Sequence, residues 1–420
     1  MNSRERVITT LNHQEPDRVP LDLGTSPVTG MHVQTVYNLR QALSLDPPGT
    51  HVKIIEPYQN LGEIKSDLIE ILGVDIIGIN PPHTLFGFKN ENWVDWTFGP
   101  TPVQVPIGYN TEPEGNGDIL MYPEGNKTYP SSGIMSSGDW TFKFVSRQTP
   151  IVEEELDPAD NIEEFEQISD DDLDYFQTEI ERVHTETDKA IMVNFGGMAL
   201  GDVTQVPAPW LKEPKGIRDV EEWNVSTVTR RDYVNDVFDR QCDIAIANLE
   251  RIYVAVEDKV TIIFMSAADF GTETGLNMSR KAYRELYFPH QKRLNDWVHR
   301  VTPWKTFMHS RGSIRALIPD LIEAGFDIIS PIEWTATDMA PESLKSEYGD
   351  QVTFWGAGVD TGQTLPGGTP QQVRAEVMRA LDVFGPGGGY VFNQIHNVPP
   401  SVPVENVLAM YKAFWDHAAY

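Results

Sequence analysis

Residues 304–334 read WKTFMHSRGSIRALIPDLIEAGFDIISPIEW. An apolar run at 304–308 (WKTFM) is followed by Ile314, Leu317, Ile318, Leu321 and Ile322, which recur at helical spacing and are closed by Gly325. A second apolar run follows at 327–332 (DIISPI). Continuous apolar runs of strand length that alternate with amphipathic stripes predict parallel strands covered by helices. The pattern recurs in both directions along the chain. Further strands are expected at 19–25 (VPLDLGT), 75–80 (DIIGIN), 191–196 (IMVNFG), 260–265 (VTIIFM), 352–357 (VTFWGA) and 389–394 (GYVFNQ). Between the last two, Val373, Val377, Ala380, Leu381 and Phe384 form another stripe, opened by Thr369 and Pro370 as N-cap and first-turn residue. Eight strands of this kind favour closure into a (β/α)₈ TIM barrel over an open sheet.

The barrel is expected to be one domain over 1–420, because α/β barrels often exceed the usual domain length. Residues 85–150 interrupt the alternation. Rich in Gly, Pro, Asn and Asp, with Trp93, Trp96, Tyr109 and Trp140, they predict a β-rich insertion over the C-terminal mouth. Those aromatics would wall a pocket or form an oligomer contact, and a homodimer is a possible assembly. The acidic stretch 152–188 (EEELD, EEFE, DDDLD) predicts a solvated helix face with acids at its N-terminus.

Composition narrows the function. The chain of 420 residues is 40% hydrophobic, enough for a large core, and carries a formal net charge of −29. Such a field repels nucleic acid and anionic membranes. A single cysteine, Cys242, excludes a disulfide framework and an all-thiolate metal site. The charged start MNSRERVITTLNHQEPDR lacks the apolar core of a signal peptide, and no apolar run approaches the ~20 residues that span a bilayer. The expected compartment is the cytoplasm.

Catalytic groups of such barrels sit just beyond the C-terminal ends of the strands. Reading those positions gives Asp22, then Asn80-Pro81-Pro82-His83, then Asn194. Further on come Asp269 and Glu273, His309-Ser310-Arg311-Gly312, Glu333-Trp334, Asp360, and Asn393-Gln394-Ile395-His396-Asn397. Asp269, His309, Glu333 and His396 are the candidate catalytic residues; Arg311, Asn194, Asn393, Asp360 and Trp334 are candidate substrate contacts. Each has a plainer reading: a strand-end histidine is often structural, and Asp360 could cap the next loop. Together, two histidines and several carboxylates at one mouth point to use, since unpaired charge in a concave site is costly. They could bind a divalent metal or act as acid/base pairs, and the residue types alone leave both open.

Several stretches resemble the uroporphyrinogen decarboxylase superfamily. They are SRERVITTLNHQEPDRVPLD, ADFGTETGLNMSRKAYRELYFPHQKRL, FMHSRGSIRALIPDLIEAGFDIISPIEW, FWGAGVDTGQTLPGGTPQQV and GGGYVFNQIHNVPPSVPVENVLAMY. The resemblance implies a (β/α)₈ barrel and one of two chemistries. The decarboxylase branch uses an Arg-rich N-terminal loop and an Asp that holds pyrrole nitrogens. Here those places read LDLGTSPVTG and Ile79-Asn80-Pro81-Pro82, and only His396 matches. The other branch contains corrinoid-dependent methyltransferases, many with zinc on a His-x-Cys motif and a later ligand. Here the motif reads His309-Ser310-Arg311, with His396 at the later position. Arg cannot ligate a metal and stays protonated. The resemblance therefore implies either Zn²⁺ or another divalent ion on His309, His396 and a carboxylate (Glu333, or in its place Asp269), or Arg311 in the metal's place as a clamp for a substrate carboxylate.

The leading expectation is a methyltransferase that moves a methyl group from a small methylated or methoxylated substrate to a corrinoid carried by a separate protein. The alternatives are a cofactor-free decarboxylase and a non-catalytic barrel that binds a small ligand.

Overall fold

The computed structural model describes residues 1–162 and 165–420. Seven strands form one parallel, curled sheet: Ile76–Ile79, Ala190–Val193, Ile262–Ser266, Lys305–His309, Ile328–Ser330, Thr353–Ala357 and Tyr390–Asn393, hydrogen-bonded in chain order. They match seven of the expected runs to within a few residues.

The eighth, 19–25, is the exception. It is not a regular strand; it contributes one parallel bridge, Leu21 to Phe392. The position is nevertheless filled. Asp22 N–H donates to Phe392 O (2.9 Å), Phe392 N–H to Pro20 O (2.9 Å), and Asp75 N–H to Leu21 O (2.8 Å). The first and last strands of the sheet are thereby joined through residues 20–22, and the barrel closes. Pro20 has no N–H and the following turn carries Gly24, so the ladder stops after one bridge.

Closure also depends on one buried ion cluster. Asp75 is fully buried and accepts from Arg6 Nη1 (2.8 Å), Arg18 Nη1 (2.7 Å) and Nη2 (3.0 Å), and Leu21 N–H (2.8 Å). Arg6 belongs to the helix Ser3–Leu11, whose Val7 and Leu11 pack against the barrel interior.

The strands are buried on both faces, as continuous apolar runs require. Inward-facing Ile76, Ala190, Met192, Ile262, Phe264, Phe307, Ile328, Trp355 and Val391 fill the barrel as one cluster. The intervening residues, among them Ile191, Ile263, Met308 and Phe354, pack under the helices. The expected stripes are present. Val373, Val377, Ala380, Leu381 and Phe384 are all buried on the helix Pro370–Phe384, which Thr369 and Gln372 open with a capping box. The acidic stretch contains the helix Asp170–Glu186 with Asp170, Asp171 and Asp172 in its first turn, where the helix dipole favours them. Glu163 and Glu164 of that stretch lie outside the described residues.

The region 85–150 is β-rich. Val94–Phe98 and Thr101–Val105 pair with each other, and Ile119–Met121, Gly133–Met135 and Lys143–Phe144 form a separate small sheet. One feature was not anticipated: Val52–Glu56 and Leu61–Gly62, from before the second expected strand, join the first of these sheets. The aromatics mostly pack among themselves. Trp96 lies 5.4 Å from Tyr109, Tyr109 5.8 Å from Phe142, and Trp140 5.8 Å from His32. They make a local core.

Asp75→Ala would leave two arginines without their buried partner. A loss of about 3–5 kcal/mol in urea unfolding is expected, against little change for Asp95→Ala on the exposed Val94–Phe98 strand.

Candidate active site

Strand pleating sets the upper layer of the barrel. Counting by two from the apolar layer, Met192, Phe307 and Val391 are succeeded by Asn194, His309 and Asn393, so polar groups replace apolar ones at the C-terminal mouth. His309 ends its strand and pairs in register with Ser330. His396 lies on the loop after Tyr390–Asn393, and the two imidazoles meet with ring centroids 5.7 Å apart.

Asp269 joins them. Its Oδ1 lies 3.9 Å from His309 Nε2 and accepts the Arg311 N–H at 2.8 Å. Two glycines allow this approach. A Cβ on Gly271 would lie 2.3 Å from the Arg311 carbonyl, and one on Gly312 (φ +80°) 2.6 Å from the Thr272 carbonyl. The loops after the Ile262–Ser266 and Lys305–His309 strands are thus pressed together, with Ser310 Oγ accepting from Phe270 N–H (2.9 Å). Glu333 completes the cluster. Its Oε2 accepts Gly312 N–H (2.8 Å), and its Oε1 pairs with Arg311 Nη2 (3.3 Å).

The electrostatics follow from burial. Desolvation, with the Arg311 charge added, pushes His309 down to about 3. Burial, His309 and Arg311 together hold His396 well below the ordinary histidine range. Both rings are neutral at pH 7. Asp269 is raised by burial, against the opposing Arg311 hydrogen bond and charge. His309 Nδ1 is buried and has no hydrogen-bond partner among the described residues.

The remaining candidates are distributed differently. Asn393 is buried and donates to Asp22 O (2.9 Å), while its Oδ1 has no partner. Asn194 is partly exposed and accepts Gly196 N–H (3.0 Å). Asp360 accepts Gly362 N–H (2.8 Å), the local loop cap that its position allowed. Trp334 turns outward: its indole N–H donates to Ala357 O (3.0 Å) and its ring lies under Arg379.

Two carboxylates escaped the strand-end reading. Asp202, nearly fully buried on the long loop after Ala190–Val193, is pushed up to about 7 by burial, and the Asp269 charge adds to that shift. Glu56, from the unanticipated strand, is likewise pushed to about 7 by burial, and burial raises the Tyr58 hydroxyl with smaller contributions from Glu56 and Asp202. Neither had a sequence signal, because one lies in an aperiodic loop and the other outside the eight runs.

A divalent metal on His309, Glu333 and His396 does not fit this arrangement. Among the described residues no group of three or more His, Cys, Asp or Glu is placed to hold an ion. The histidines meet, but both Glu333 oxygens are held by Arg311 and Gly312.

Comparison with known proteins agrees with this architecture. The profile of the family Uroporphyrinogen decarboxylase (URO-D) matches residues 138–417. The chain is similar to the uroporphyrinogen decarboxylase of Pseudomonas fluorescens (strain Pf0-1), at 28% identity over 150 residues, which span 34% of this chain and 39% of that protein. It is similar also to that of Psychromonas ingrahamii, at 37% identity over 86 residues, 20% of this chain and 22% of that protein. The alignments thus span well under half of these curated relatives. Among solved structures, a methyltransferase from Methanosarcina mazei superposes with a TM-score of 0.54 at 16% identity, covering 99% of both chains.

A neutral buried histidine makes stability depend on pH. Unfolded His309 binds a proton below the ordinary value of 6.5, and folded His309 only near 3. Its contribution is therefore complete above 6.5 and is lost as pH falls from 6.5 toward 3. Unfolding of His309→Gln at pH 7 and pH 5 should show a drop smaller than that of the unsubstituted protein by about 1–2 kcal/mol. An equal drop in both would show that folded His309 takes up its proton at the ordinary value.

Proposed function

The chain belongs to the uroporphyrinogen decarboxylase (URO-D) family, and from that premise we propose that it is a methyltransferase of the corrinoid-linked branch. It moves a methyl group from a small methylated substrate to a corrinoid carried by a separate protein. The observation that carries this reading is the charge inventory of the mouth. Arg311 is the one cation acting on His309, His396 and Asp269 among the described residues, and it is already paired with Glu333. Asp202 and Asp269 add carboxyl groups, both shifted by burial toward their neutral form, and no cation. A substrate bearing many carboxylates would require several free cations. A small neutral or cationic methyl donor requires none. The name of the full-length structural neighbour, a methyltransferase, points the same way.

The chemistry follows from the protonation states. In methyl transfer the bond between the methyl carbon and its heteroatom breaks, the electron pair stays on the heteroatom, and the acceptor's nucleophile takes the carbon. In this reading Asp269, which burial shifts toward its protonated form, passes a proton to the departing heteroatom. Neutral His309 and His396 offer ring nitrogens that hydrogen-bond and orient the donor. The Arg311–Glu333 pair holds the Gly312 loop, and with it the Asp269 carboxyl, in position.

The test is transfer to a reduced corrinoid from a panel of methoxylated and N-methylated donors. Asp269→Asn and His396→Ala should each lower kcat/KM by roughly 10²–10⁴-fold. Absence of turnover with every donor removes the reading. Conversion of uroporphyrinogen, followed by product chromatography, would replace it with decarboxylation, in which Asp269 would protonate the carbanion.

A further inference from the structure

Beside the mouth, outside the site just described, lies a cavity of about 330 Å³. It is enclosed by the helices Asp170–Glu186 and Arg231–Val256, the turn Pro81–His83, and the loop that follows Ala190–Val193. We propose that this cavity is a binding site for a small, neutral, ring-shaped molecule that carries one hydroxyl group.

The lining selects the ligand. Phe176, Phe195, Met198, Trp210, Leu249 and Ile252 form an apolar wall that suits a ring, and His83, Ser169, Gln205 and Asn248 add polar groups that suit a hydroxyl. An apolar cavity of about 150 Å³ already takes benzene, and pockets for small molecules begin near 300 Å³. The volume therefore suits a substituted ring. A Cβ on Gly196 or Gly197 would meet no atom within 4 Å, so the loop borders open space here. The walls are held in place. Gln241 Nε2 donates to Gly197 O (3.3 Å), and Asn248 bonds both Glu166 O (2.9 Å) and Ile168 N–H (2.8 Å). This is a built space between fixed elements.

Charge excludes the other classes. Among the described residues no Lys or Arg lines the cavity, whereas Asp172 and the exposed Glu166 stand at its rim, so a carboxylate or phosphate would be repelled. Those acids are partly solvated and Asp172 already faces His83, so a cation drawn to them would stay hydrated at the rim and not enter against the apolar wall. At the rim His83 Nδ1 lies 3.7 Å from Asp172 Oδ1, and both are partly exposed. This pair can accept and donate a hydrogen bond to a single hydroxyl. The same loop carries Met198 and Trp210 in the cavity and Asp202 toward the mouth, so a ring bound beneath it would steady Asp202 beside Asp269.

The inference rests on the cavity and not on the methyl-transfer reading, so either can fail alone. The experiment titrates the full chain with 4-fluorophenol and follows the ¹⁹F resonance. Saturable binding is expected. Leu249→Trp, which fills the cavity, should weaken it at least about tenfold. His83→Ala should weaken 4-fluorophenol while leaving fluorobenzene unchanged. Binding should also change tryptophan fluorescence, and Trp210→Phe should reduce that change while 4-fluorophenol still binds; this arm decides the matter if Leu249→Trp does not fold. The site is overturned by three results: no saturable binding up to the probe's solubility, the same affinity in folded Leu249→Trp, or a fluorescence change undiminished in Trp210→Phe. Benzoate or tetramethylammonium displacing the probe more strongly than phenol does would overturn the neutral class.

Discussion

Asp75 sits fully buried where the barrel's first and second strand positions meet, and its carboxylate takes hydrogen bonds from Arg6, Arg18 and the backbone of Leu21. Much else hangs on this cluster. The first strand position has little ladder of its own, so a side chain does work that backbone pairing does at the other seven. With residues 20–22 held there, Asp22 reaches Trp355 in the barrel interior, and Asn393 reaches the Asp22 carbonyl at the mouth. A buried carboxylate is costly unless every oxygen is answered. Here both oxygens are, which ties the N-terminal helix, the first strand position and the second strand into one unit.

At the opposite end the same rule produces reactivity. His309 Nδ1 and Asn393 Oδ1 are buried polar atoms without partners, and Asp269, Asp202 and Glu56 are carboxyls raised by burial. Arg311 is the compensating charge, and it is spent on Glu333. The mouth is therefore polar and, among the described residues, short of free positive charge. That combination favours a small donor that needs proton delivery over a polyanion that needs clamping.

Much of this was legible beforehand. Strand runs, helical stripes and caps depend on residues near in sequence, and they placed seven strands, the helix Pro370–Phe384 and the strand-end positions of His309, Asp269, Glu333 and His396. The first strand was legible as an apolar run but not in its pairing, because Pro20 and Gly24 truncate the ladder. Trp334 was legible as a strand-end residue, yet its outward turn toward Ala357 and Arg379 depends on a neighbouring strand and helix. Asp202 and Glu56 were illegible, since an aperiodic loop and an added strand are brought to the mouth only by packing.

The amino-acid sequence by itself determined the barrel, its acidic surface and the set of histidines and carboxylates at strand ends, because periodicity and chain order are local properties. Only the tertiary structure decided how those groups are used. It brought the two imidazoles to 5.7 Å, paired Arg311 with Glu333, and buried Asp202 where it feels the Asp269 charge. Protonation and pairing are set by distance and desolvation, and both come from contacts between residues far apart in the chain.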